Sequence, residues 1–168
     1  MMLDIAIEAD TEWDSSSRWA PLVRAAAEAA VAESAFPQLA DSPRHVELSV
    51  RLTDDAEVKA LNAQWRGKDK PTNVLSFPQL ELEQLDDVSE VGPELMLGDL
   101  VLARGVCQRE AEDKGISLED HAAHLVVHGT LHLLGYDHQD DETAQAMESR
   151  EVRALARLGI RDPYEGGH

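Results

Sequence analysis

One cysteine cannot make an internal disulfide, so Cys107 excludes a disulfide-built scaffold and fits a reducing compartment. It falls among apolar residues in an expected helix and reads as a small core residue rather than a nucleophile. Aromatic residues are only 4% of the chain, so the 43% that is hydrophobic must build an aliphatic core. No apolar run approaches the roughly 20 residues of a membrane span. The first residues, MMLDIAIEADTEW, carry acids where a secretion signal needs a basic segment. A soluble, cytoplasmic protein with no membrane partner is expected. Positive charge is scarce as well: 15 Lys and Arg against 33 Asp and Glu leave a formal charge of −18. That is the opposite of the basic footprint usual in a nucleic-acid binder.

The charge is unevenly spread. Residues 81–99 hold seven acids and no Lys or Arg, whereas Arg66, Lys68 and Lys70 fall within five residues. A local positive patch on an acidic body is therefore available. At 168 residues a single domain, 1–168, is expected. Alternation of apolar residues predicts strands at 3–9, 45–52 and Asn73–Phe77, and the doubly apolar run 95–103 reads as a central strand. Helical spacing predicts helices from Trp19 to about Ser34 and over DDAEVKALNAQWR, where Val58, Leu61 and Trp65 form an apolar stripe. Three more are expected: about Arg104–Lys114, Leu118 to about Leu134 behind a Ser117–Asp120 capping box, and about Asp141–Leu158. The acidic stretch 79–94 reads as an exposed mobile loop and 160–168 as a frayed tail. The order predicts an α+β, three-layer-like domain with a small mixed β-sheet and about five helices.

What the chain does have is histidine in one place. Five of its seven histidines (121, 124, 128, 132 and 138) fall within 18 residues. In HGTLHLLGYDH, His128 and His132 are one helical turn apart and share a helix face. Gly135 can end that helix in the left-handed conformation, so that the chain turns back and His138 can approach the first two. Three neutral imidazoles converging leave an open fourth position, the catalytic type of Zn²⁺ site, here at the C-terminal end of the helix. One Zn²⁺ per chain is expected on His128, His132 and His138. His124, one turn earlier, reads as a residue behind the ligands or an exposed one rather than a fourth ligand. Asp137 can orient an imidazole or simply make the turn.

The spacing matches the HExxHxxGxxH motif of metzincin proteases, but Gly129 stands where their glutamate base belongs. A metal without that base can still acidify water and polarise an anionic oxygen. Those tools suit phosphate esters better than peptides, since charge neutralisation matters greatly in phosphoryl transfer. A phosphodiester also calls for a cation near the metal. Arg66, at a helix end just before a core strand, is the best candidate, with Lys68 and Lys70 placed to hold the backbone.

At these residues the chain resembles the YbeY family, the single-strand-directed endoribonucleases and ribosomal RNA maturation factors of bacteria. HLVVHGTLHLLGYDH (124–138) resembles the family signature. LNAQWRGKDKPTNVLSFP (61–78) resembles its arginine segment, with Trp65 where tyrosine or phenylalanine is common. LGDLVLA (97–103) resembles its central strand. The resemblance implies a zinc-dependent endoribonuclease, with His128, His132 and His138 as zinc ligands and Arg66 as the functional arginine. It further implies maturation of the 3′ end of small-subunit ribosomal RNA, ribosome quality control, and the small ribosomal subunit as partner, with no DNA substrate. A non-catalytic zinc-stabilised ribosome assembly factor is the alternative, and a metalloprotease the remote one.

Overall fold

A computed structural model of the chain describes residues 3–9, 13, 16–34, 46–79, 95–136 and 140–163. The elements are β1 (Leu3–Ala9), α1 (Ser16–Glu33), β2 (Val46–Thr53), α2 (Asp55–Arg66), β3 (Val74–Pro78), β4 (Leu95–Ala103), α3 (Arg104–Lys114), α4 (Leu118–Leu133) and α5 (Asp141–Arg157). Among the described residues four strands form one mixed sheet in the order β1-β2-β4-β3. β1, β2 and β4 run parallel, and β3 is an antiparallel edge strand on β4. The doubly apolar run 95–103 is thus an interior strand, as its composition requires.

Alternation along the strands sorts the core to two faces. Leu48, Leu52, Leu100 and Leu102 pack on one side with Val23, Ala26 and Ala30 of α1 and Val126, Val127 and Leu131 of α4. Each fully buried Val or Leu there contributes roughly 1.5–3 kcal/mol. Val101, Ala103 and Leu75 face the other side and meet Val58 of α2. That second face is covered at one end only. The stripe Val58–Leu61–Trp65 overshoots the cover: Val58 is buried and Leu61 half-buried, but Trp65 is 65% exposed. Trp65 is therefore not the core residue that its spacing predicts.

Two glycines set how closely α4 lies on the sheet. A Cβ at Gly98, where φ is +151°, would lie 2.6 Å from the Phe77 carbonyl oxygen and 2.7 Å from Leu133 Cδ2. A Cβ at Gly129 would lie 2.7 Å from Leu100 Cδ2 and 3.2 Å from Ser76 Oγ. Only hydrogen fits at these contacts.

α1 begins at Ser16, three residues before the expected start, and carries Pro21 within it. Ser117 caps α4 by accepting from the Asp120 N–H at 3.1 Å. Among the described residues Asp120 does not return the second bond of a capping box, its side chain being one methylene shorter than the usual glutamate. Ile160 is not frayed: its N–H donates to the Leu155 carbonyl at 3.0 Å and its side chain packs on the core. Residues 164–168 of the expected tail and residues 80–94 of the expected acidic loop lie outside the described residues. Cys107 is buried, and burial, helped by Glu110 and Asp55, pushes its thiol up to about 12. This is the inert core thiol expected. Among the described residues no helix is long and apolar enough to cross a membrane.

Candidate metal centre

α4 carries His128 and His132 to its C-terminal end and then stops in a Schellman turn. The Tyr136 N–H reaches the Leu131 carbonyl at 3.1 Å, and the Gly135 N–H, with φ at +97°, reaches the His132 carbonyl at 3.0 Å. This turn brings the Tyr136 carbonyl oxygen 2.8 Å from His132 Nδ1. The other imidazole is held from α5: His128 Nδ1 lies 2.5 Å from Glu151 Oε1.

A carbonyl oxygen and a carboxylate oxygen only accept. Each Nδ1 therefore carries its ring proton, and in the neutral ring the lone pair is left on Nε2. The two Nε2 atoms lie 3.0 Å apart. At that distance the two nitrogens must share something positive, a proton in a hydrogen bond or a metal ion beside them. This donor set fits a metal such as Zn²⁺, and the acceptors behind the rings are the arrangement that orients metal-binding histidines. His138 and Asp137 lie outside the described residues.

Glu151 is fully buried. Its Oε1 also lies 3.5 Å from His124 Nε2. His124 is thus buried behind the carboxylate and is not exposed. One turn further back, His121 Nε2 lies 2.8 Å from Glu110 Oε1. Burial holds the His121 pKa below its ordinary value, against the opposing pull of Glu110. Glu151 has a sequence signal of its own. Met147, Glu151, Ala154 and Leu155 are the buried residues of α5 and fall at helical spacing. An acid on an apolar stripe needs buried partners, and the histidines of α4 are those partners.

His128 and His132 open into a cleft of about 450 Å³ that they share with Arg66, Asn73, Ser76 and Tyr136. Arg66 closes α2 and donates from Nη2 to the Ser76 carbonyl at 2.5 Å, which ties the guanidinium to the edge strand. The distant cation and the histidine pair therefore do face one cleft. Lys68 and Lys70 are exposed and do not line it. Gly129 packs against Leu100 of the sheet and against Ser76, and does not itself line the cleft. A glutamate there would collide with the sheet, so a metzincin base has no room at this position.

A half-buried histidine pair faced by an anchored arginine, on an α+β sheet domain, is a set of groups suited to a metal beside an anionic substrate. The family model described as Endoribonuclease YbeY matches residues 5–159. The chain belongs to that family. Proteins named Endoribonuclease YbeY from Sphingopyxis alaskensis and Rhizorhabdus wittichii are 53% and 52% identical to it. The first match covers 97% of this chain and 98% of the relative, the second 97% of each. The solution structure of TM1509 from Thermotoga maritima has the same fold, with a TM-score of 0.55 at 23% identity over 97% of both chains.

Proposed function

We propose that this protein is a zinc-dependent endoribonuclease that cleaves single-stranded RNA phosphodiesters in the cleft between His128, His132 and Arg66, with His138 as third ligand. Membership of the endoribonuclease YbeY family carries the reaction class. The observation that supports the site is the pair of Nε2 atoms 3.0 Å apart, both Nδ1 atoms committed to acceptors, in a cleft shared with Arg66. Zn²⁺ held there supplies Lewis-acid charge stabilisation and acidifies water. Arg66 neutralises the scissile phosphate, its guanidinium pre-oriented by the Ser76 carbonyl. The Glu151 carboxylate and the Tyr136 carbonyl keep both rings in the binding tautomer. Lys68 and Lys70, outside the cleft wall, position the strand as it approaches. The physiological reading is maturation of the small-subunit ribosomal RNA 3′ end and ribosome quality control in the cytoplasm, with the small subunit as partner.

Metal analysis and cleavage of a single-stranded RNA test this reading. His132→Ala loses both zinc and cleavage, whereas Arg66→Ala keeps zinc and loses cleavage. Undiminished cleavage by folded, metal-free His132→Ala overturns the reading. End-group analysis identifies the nucleophile, since a 2′,3′-cyclic phosphate end means attack by the ribose 2′-hydroxyl.

A further inference from the structure

An acidic protein that grips RNA through few cations needs an attraction that does not depend on charge. The second face of the sheet offers one. Where α2 stops covering it, a groove of about 720 Å³ remains, lined by Ala6, Ser49, Leu61, Trp65, Phe77 and Val101. Trp65, 65% exposed, is part of its lining. Its charged rim residues are Glu8, Arg51 and Asp99, and Asp99 accepts from Gln79 Nε2 at 2.5 Å. Two carboxylates beside one arginine repel a phosphate backbone. They accept readily from the amino edge of a base.

The groove and the metal centre flank the edge strand β3. Alternation sends Ser76 to the histidine cleft and Phe77 to the groove. At the end of α2, Arg66 lines the cleft and its neighbour Trp65 lines the groove. The Arg66 guanidinium carbon lies 5.7 Å from the centroid of the Phe77 ring. This is a cation–π contact, so the cation of the cleft and the ring of the groove are direct neighbours.

We propose that Trp65 and Phe77 form a nucleobase-stacking subsite. A base next to the phosphate held at Arg66 is swung over the edge of β3 and stacks on Trp65. This rests on the reading of RNA cleavage at the histidine pair. Stacking on aromatic rings is the charge-independent part of single-strand binding, and it tolerates any base. An unpaired strand can pass over the edge and place a base there. A duplex, whose bases stay stacked on one another, cannot. The subsite thus makes single-strand selection a property of the groove rather than of the metal.

The protein carries its own probe. Trp13 and Trp19 are buried, at 0% and 1% exposure, so fluorescence quenching by an added ligand reports Trp65. Short RNA single strands, read by rapid mixing before cleavage, quench the wild type, and their affinity, followed by the anisotropy of a labelled strand, falls about tenfold in Trp65→Ala. Trp65→Ala, at an exposed site, keeps its melting temperature and zinc content but raises KM about tenfold with kcat little changed. Trp65→Phe restores most of the affinity, because a ring remains. A strand of the same length lacking bases binds weakly to both. Equal binding of the base-bearing strand by wild type and Trp65→Ala, or equal binding of the abasic strand by the wild type, overturns the proposal. His132→Ala keeps the quenching, because stacking needs no metal. Undiminished cleavage by that variant defeats the metal-site reading and leaves the stacking result standing.

Discussion

At the residue scale the centre depends on atoms that never touch a substrate. Glu151 holds the Nδ1 proton of His128 from a helix 23 positions further on. Glu151→Gln keeps an accepting oxygen but loses the charge. It is expected to weaken zinc binding about tenfold with the fold intact, as loss of such partners does elsewhere. Competition against a chelating dye reads this directly, and unchanged affinity would remove Glu151 from the site. Gly129 is a steric requirement of another kind. Alanine gains about 1 kcal/mol of helix propensity over glycine. Its Cβ, however, would lie 2.7 Å from the side chain of fully buried Leu100, and overpacking costs about 1–3 kcal/mol. Gly129→Ala should therefore lower stability by about 1 kcal/mol in urea unfolding, and a more stable variant would show that α4 can lift off the sheet. The i, i+4 histidines are visible in the sequence because one helical turn brings them together. Glu151 is visible only as an acid on an apolar stripe, without a named partner until α5 lies against α4.

At the element scale, α1 and α5 are fastened through one residue. Glu33 accepts from Arg153 Nε at 3.1 Å and from Arg157 Nε at 2.5 Å, and its carbonyl accepts from Arg150 at 2.6 Å. The hydrogen bond from Arg157 holds the Glu33 carboxyl below its ordinary 4.5, with burial opposing and Arg153 adding. A lowered folded pKa means that this stability is complete above 4.5 and is lost as pH falls through the folded value. Glu33→Ala should cost about 1 kcal/mol at neutral pH, given that the arginines are half-exposed and screened. The difference from wild type should shrink on acidification, and a pH-independent difference would show that the loss is not ionic. Elements themselves were legible where periodicity is local: β4 as an interior strand and α4 with its glycine stop. The fate of the Val58–Leu61–Trp65 stripe was not, because the width of the sheet beneath it is set by three other strands.

At the scale of the whole molecule, the charge of −18 opposes an RNA substrate. Binding should then draw on the few local cations, Arg66, Lys68 and Lys70. Three phosphate contacts at about 0.7 ions each give a slope of about −2 for log affinity against log salt. Filter binding or anisotropy with a single strand measures it, and a slope near −5 would reveal a basic surface elsewhere on the chain.

The sequence by itself determined the chemistry that is local along the chain. Two imidazoles share a helix face because 3.6 residues make a turn. Gly135 ends that helix, and Gly129 removes the peptidase base. Only the tertiary structure decided what lies across space. Parallel pairing of β2 with β4 brings the end of α2, and with it Arg66, to the cleft where α4 ends. Packing of α5 on α4 puts Glu151 behind His128. The limit of α2's cover leaves Trp65 facing an open groove. Such contacts join residues tens of positions apart, and no periodicity along the chain encodes them. They follow from which faces must be buried together, and that is settled only when all the elements meet.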